Sequence, residues 1–279
     1  MPQAVKKIRR SDGAVSLFRY EAGRMVGGYG TDYGSFVIAA APFSIEVTER
    51  TASLSGTSMR QTRYEDCLAN PEGFITFMHF ERREAHFAGG QWCTLRCHGH
   101  LSVSYDPQGR VASMRHAYQD GTGRSGKGRT TYEWEEDGKL SSVVTDLSRM
   151  GNLYESHAVS IFRYAATEDA GATANGGLYW EEPDACPFVY DFMWYAGLFG
   201  RPLGRMPVEM LHERLGDGGN RKTISTLSVK RDSLGRAVSV CRDGRVETVL
   251  TYGDACAAES RSRQDEAFPP ASAPPLPFR

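Results

Sequence analysis

The sequence predicts an all-β protein: a large curved antiparallel meander sheet or partial barrel with one buried aromatic helix near residues 185–199. Three observations carry this expectation. Alternating apolar and polar runs recur along the chain, glycine-centred turns with a basic residue separate them, and one segment alone switches to helical spacing.

The turn unit is clearest in residues 104–114, SYDPQGRVASM, where Gly109-Arg110 joins two alternating runs. LFRYEAGRMVG repeats it around Gly23-Arg24, and TYEWEEDGKLSSVV around Asp137-Gly138-Lys139. SVKRDSLGRAVSV and SVCRDGRVETV follow with Gly235-Arg236 and Asp243-Gly244-Arg245. Asp-Gly between alternating apolar residues signals a hairpin because a two-residue turn needs positive φ at both centres. The irregular spacing makes this a meander with insertions, not a solenoid. FSIEVTER, FITFMHFERREAHF, QWCTLRC, LYESHAVSIFRY, VEMLHERL and KTISTLSV read as further strands, for roughly fifteen in all.

The helical segment is DACPFVYDFMWYAGLFGRPLGRMP. Phe188, Phe192, Tyr195 and Phe199 stand at helical spacing, Asp184 is a candidate N-cap, and Gly200 and Pro202 form a stop. A helix of about fourteen residues follows, too aromatic to face water, and it is expected to plug an opening in the sheet.

Of 279 residues, 40% are apolar and 24% charged, with 33 basic and 34 acidic residues giving a net charge of −1. That balance supplies no global field for nucleic acid, and no nucleic-acid partner is expected. No run of about eighteen apolar residues exists, so no transmembrane helix is expected. The start, MPQAVKKIRRSDG, is basic without a following apolar run, so no signal peptide is read in it. Residues 1–256 are assigned to a single β domain, and 257–279, ending PPASAPPLPFR, to a Pro-rich flexible tail able to present a polyproline ligand. The small polar loop 166–177 is expected to be mobile. Six cysteines outline no disulfide framework and leave the redox compartment open.

Four patterns suggest chemistry. WCTLRCHGH offers Cys93, Cys97, His98 and His100 as soft metal ligands. On a strand, however, Cys93 and Cys97 share a face about 13 Å apart, and His98 points away from Cys97. Glu133 and Glu135 would share a strand face about 6–7 Å apart, within glycosidase range, although an outward polar face explains them equally. GTGRSGKGR (121–129) lacks the order of a phosphate loop, though Arg124, Lys127 and Arg129 could hold an anion at a hairpin tip. Trp92, Trp134, Trp180 and Trp194 would stack on sugars if exposed, and otherwise serve cross-strand packing. No catalytic residue, metal or cofactor is assigned from the sequence.

The hairpin unit resembles YD-type repeats. YAGLFGRPLGRMP, placed after serial hairpins and before SVKRDSLGRAVSV and CRDGRVETVLTY, is similar to a block in a Bacteroidota family of uncharacterised secreted or lipid-anchored proteins with a porin-like fold. There an aromatic helix ends in Ala-Gly-Leu-Leu-Gly-Lys before Pro, and Tyr195 to Pro202 match it. The resemblance covers roughly residues 5–254 and implies one strongly curved sheet or partial barrel, in the cell envelope or secreted. It carries no activity. This chain departs from it in lacking a lipoprotein signal and in its cysteine and histidine content. Short strands with charges close by, such as YEWEEDGK and VKRDSLGR, point to a water-soluble wall with the shape of a porin. The function expected is a non-enzymatic binding or structural scaffold with a glycan, lipid or protein ligand on its curved face. The alternatives are a glycan hydrolase using Glu133 and Glu135, and a protein–protein interaction module exposing an apolar patch or sheet edge.

Overall fold

The turns hold because an acidic side chain takes over the work of the missing ladder. Asp106 Oδ1 accepts from the amides of Gln108 (3.0 Å) and Arg110 (2.8 Å), while Arg110 Nε donates to Asp106 Oδ2 at 2.6 Å. Asp232 repeats the arrangement with Leu234, Arg236 and the Arg236 guanidinium. Asp120 caps the amides of Thr122 and Arg124 in the same way. Such side-chain turns satisfy backbone donors locally. The turn arginines then lie over rings of neighbouring strands, Arg110 on Trp134 at 4.8 Å and Arg236 on Tyr252 at 4.6 Å. The tight Ala22-Gly23 and Asp243-Gly244 corners place both central residues at positive φ, as their two-residue turns require.

The computed structural model describes residues 4–40, 43–53, 56–88, 91–150, 154–165, 186–203, 205–216 and 219–253. Its strands are β1 (Ala4–Arg10), β2 (Val15–Glu21), β3 (Arg24–Gly30), β4 (Gly34–Ala40), β5 (Phe43–Ser53), β6 (Gly56–Ala69), β7 (Ile75–Ala88) and β8 (Gln91–Tyr105). They continue with β9 (Val111–Asp120), β10 (Ser125–Trp134), β11 (Leu140–Met150), β12 (Tyr154–Arg163), β13 (Glu209–Gly216), β14 (Arg221–Arg231), β15 (Ala237–Arg242) and β16 (Arg245–Gly253). Each pairs antiparallel with its sequence neighbours, and β1 pairs with β16, so the sheet closes fully where the sequence predicts a sheet or partial barrel. The tail from 257, the loop 166–177, Trp180 and Asp184 lie outside the described residues.

Alternation assigns the two faces of the wall. Ile8, Phe18, Phe36, Ile45, Tyr64, Met78, Leu101, Met114 and Val143 are buried and point into the lumen. Their neighbours point outward and include Arg63, Arg115, Lys127, Arg129 and Asp146, all exposed. A charged residue on the lipid face of a membrane barrel costs about 2–4 kcal/mol near the midplane. The outer wall carries exposed charges at these positions, alongside exposed apolar residues such as Val37, Ile161 and Ile224.

The aromatic segment fills the lumen, with a helix shorter than its spacing predicts: α1 spans Asp191–Tyr195, five residues instead of about fourteen. The reason lies in its carbonyls. Tyr64 donates to the Phe188 carbonyl at 2.6 Å, Arg82 to that of Pro187 at 3.1 Å, and the Ile75 amide to that of Leu198 at 2.9 Å. Acceptors that a longer helix would use internally are engaged by the wall. Phe192 stacks on Phe36 at 3.8 Å, Phe188 on Phe80 at 4.0 Å, and Trp194 meets Tyr132 edge-on. Asp191, buried within the plug, accepts from Arg10 (2.8 Å) and Ser16 (3.2 Å). Burial raises its pKa against the pull of Arg10.

Removing the Phe192 ring should therefore cost about 3–5 kcal/mol in urea unfolding. Ile224→Ser, at an exposed outer position, should stay within about 0.5 kcal/mol of the unsubstituted protein. Equal losses at the two sites would contradict this assignment of the faces.

Candidate functional site

Inside the barrel, the arginines are held by acids, hydroxyls and rings. Arg60 lies between Glu49 (2.9 Å) and Glu84 (2.7 Å), and Arg82 covers the Phe188 ring at 4.5 Å. Outside, across β8 to β13, the wall forms a cleft of about 860 Å³. Two rows of outward side chains, fixed by strand register, line it together with His116, Gly128, Leu147, Ser156 and Gly216 of the opposite parity. One runs Ser102, Arg115, Arg129, Asp146, His157 and Leu215; the other runs His100, Ala117, Lys127 and Ser148.

Glycines allow the wall to dip here. Gly126 and Gly128 point inward and face Tyr118 and His116 across the β9–β10 ladder. A Cβ on Gly128 would lie 2.3 Å from the His116 ring, and one on Gly126 2.6 Å from Tyr118. The rings thus lie flat over bare backbone, and His116 packs beneath the cleft floor, edge-on to Phe188 at 6.2 Å. The glycines of GTGRSGKGR are wall-thinning positions, and Lys127 and Arg129, alternating with them, project from the strand's outer face. Only Gly121–Arg124 forms the turn, so Lys127 and Arg129 do not sit at the hairpin tip where the sequence suggests an anion might bind.

The other sequence candidates separate. Cys97 faces inward opposite Arg82, and burial pushes its thiol up to about 11, away from thiolate chemistry. His98 and His100 lie on the outer face opposite Glu81 and His79. Among the described residues no three His, Cys, Asp or Glu side chains gather as a metal site. Glu133 accepts from Ser142 Oγ at 2.7 Å, whereas Glu135 opens the turn and lies 4.0 Å from Lys139. The two carboxylates are not joined across a cleft. Trp194 is core, the Trp134 indole donates to the Val111 carbonyl, and Trp92 packs on Phe87.

Reading the chain alone missed Arg115, Asp146 and His157. Alternation in SMRHAY shows that Arg115 and His116 face opposite ways, but register is needed to set Arg115 against Arg129.

No protein-family model and no curated protein matches the chain. Among solved structures, a porin-like protein from Bacteroides vulgatus superposes with a TM-score of 0.53, covering 90% of this chain and 99% of that one at 12% identity. The fold is porin-like. A porin-like protein from Bacteroides uniformis, also 12% identical, covers 75% of this chain and 97% of its own with a TM-score of 0.25, too low to carry an argument.

His116 supplies a pH test of the floor. Burial, aided by the nearby His100, lowers its pKa from an ordinary 6.5 to about 4. The unfolded chain takes up this proton first as pH falls, so the stability due to neutral His116 is full above 6.5 and lost on acidification towards 4. The loss is on the order of 3 kcal/mol across that window. Urea unfolding of His116→Gln should lack this part of the acid slope, and an unaltered slope would place His116 in water.

Proposed function

We propose that the protein is a binding scaffold whose working surface is the outer cleft across β8 to β13, and that it is neither a channel nor a hydrolase. The cleft carries the reading. At about 860 Å³ it falls in the range of small-ligand sites, about 300–1,000 Å³. The lumen of a conducting barrel, by contrast, would have to be open where Phe188, Phe192 and Phe199 are packed. A role in the cell envelope, and kinship with the Bacteroidota family suggested by Tyr195 to Pro202, belong to the same reading and rest on the resemblance and the porin-like neighbour.

One observation favours an interaction module as a second reading. Ile161, Leu211 and Ile224 stand in register on the outer wall, with Ile161 43% and Ile224 64% exposed. An exposed apolar row of this kind suits contact with another protein.

Thermal-shift measurements with neutral and acidic glycans, lipids and peptides separate the readings. For the cleft, at least one class should raise the Tm of the protein and lose that effect in Ala117→Trp, which fills the floor. A shift that survives in Ala117→Trp, or none with any class, would contradict the cleft as the working surface.

A further inference from the structure

The cations of the cleft are arranged in a way that folding alone does not favour. Arg115 and Arg129 stand directly opposite each other on the outer face of the β9–β10 ladder. Side chains so paired have Cβ atoms about 5 Å apart, and like charges there are destabilising. Lys127, two residues along β10 on the same face, adds a third positive charge about 7 Å from Arg129. Among the described residues, none of the three has a carboxylate within 4.0 Å.

The nearest acid in register does not relieve them. Asp146 is opposite Arg129, but its Oδ1 lies 2.7 Å from His157 Nδ1 on the far side. Other outward arginines vary: Arg83, Arg163 and Arg242 are paired with Glu81, Glu209 and Glu247, whereas Arg9, Arg19 and Arg96 have no ion pair among the described residues, but none of these stands in a cleft with two further cations. The chain as a whole carries a net charge of −1, so three unmatched cations in one concavity are a local feature, not a by-product of a basic composition.

We propose that this cleft is an anion-recognition site taking a hydroxylated small molecule or oligosaccharide with at least two phosphate, sulfate or carboxylate groups. The proposal rests on the binding reading above and narrows it to a ligand chemistry. Two guanidinium forks offer parallel donors matched to such groups, and Lys127 adds a point charge. Ser102, Ser148 and His100 flank the cations with groups suited to sugar hydroxyls. Three cations against one carboxylate, Asp146, which is hydrogen-bonded to His157, leave the cleft with a positive excess that favours an anion lying within it.

Isothermal titration calorimetry tests this with a sulfated pentasaccharide, its desulfated counterpart, inositol hexakisphosphate and a galacturonate tetramer. Single-stranded DNA and phosphatidylserine vesicles serve as other polyanions. At least one acidic sugar or inositol probe should bind, and which of the three does so identifies the sulfate, phosphate or carboxylate source. Binding should weaken with salt and fall about tenfold or more in the Arg115→Ala/Arg129→Ala protein. The Tm of that variant should be unchanged or raised, since an opposed like-charge pair is gone. Failure of every acidic probe, unchanged affinity in the double variant, a lowered Tm, or tighter binding to DNA or vesicles would overturn the proposal. Equal binding of the desulfated sugar, abolished by Ala117→Trp, would overturn it while leaving the cleft as a binding surface. The same binding retained in Ala117→Trp would remove both readings.

Discussion

A closed sheet of sixteen strands encloses more space than its own side chains can fill, and everything else in this structure answers that constraint. Barrels of eight strands are packed by their inward residues, whereas those of sixteen to eighteen leave an aqueous channel. Here the space is taken by residues 186–203, which bring Phe188, Phe192, Trp194 and Phe199 against the inner wall. The filler is tied to the wall at three places. Asp191 is held by β1 and β2, the carbonyls of Pro187 and Phe188 by β6 and β7, and Leu198 and Arg201 by the starts of β7 and the β8–β9 turn. The central helix is short because so many of its backbone groups are committed outward.

With the apolar face directed inward, the outer wall is free to be polar. The fold is porin-like, with rings packed inside and a mixture of charged and apolar side chains outside. The turns reinforce this. The Asp106 and Asp232 corners satisfy their own amides and lay Arg110 and Arg236 across neighbouring rings, so these hairpins are joined to their neighbours at their ends as well as along their ladders.

Much of this was legible in the chain. The five glycine turns, the alternation of the strands and the burial of the aromatic block all follow from local chemistry, because turn residues and period-two patterns act over a few positions. Closure of the barrel was not legible, since pairing of β1 with β16 joins the two ends of the strand series and leaves no local mark. Helix length failed for a related reason: the spacing of Phe188, Phe192 and Phe199 suits a helix, but tertiary hydrogen bonds from Tyr64 and Arg82 outweigh it. The cleft was half visible. Lys127 and Arg129 stood out in GTGRSGKGR, but their glycine neighbours read as a flexible loop. Only the register shows Gly126 and Gly128 making room for rings and bringing Arg115 against Arg129.

The wall and its filling are therefore one system: the rings that seal the lumen near Phe188 also lie over the glycines that shape the cleft outside. Hydrogen–deuterium exchange of the full chain in detergent-free buffer, read by mass spectrometry, tests this most directly. Amides of Phe192 to Leu198 should be protected to the same degree as those of β10 and β11. Exchange of that segment within seconds, while the strands stay protected, would mean an open lumen and contradict the account.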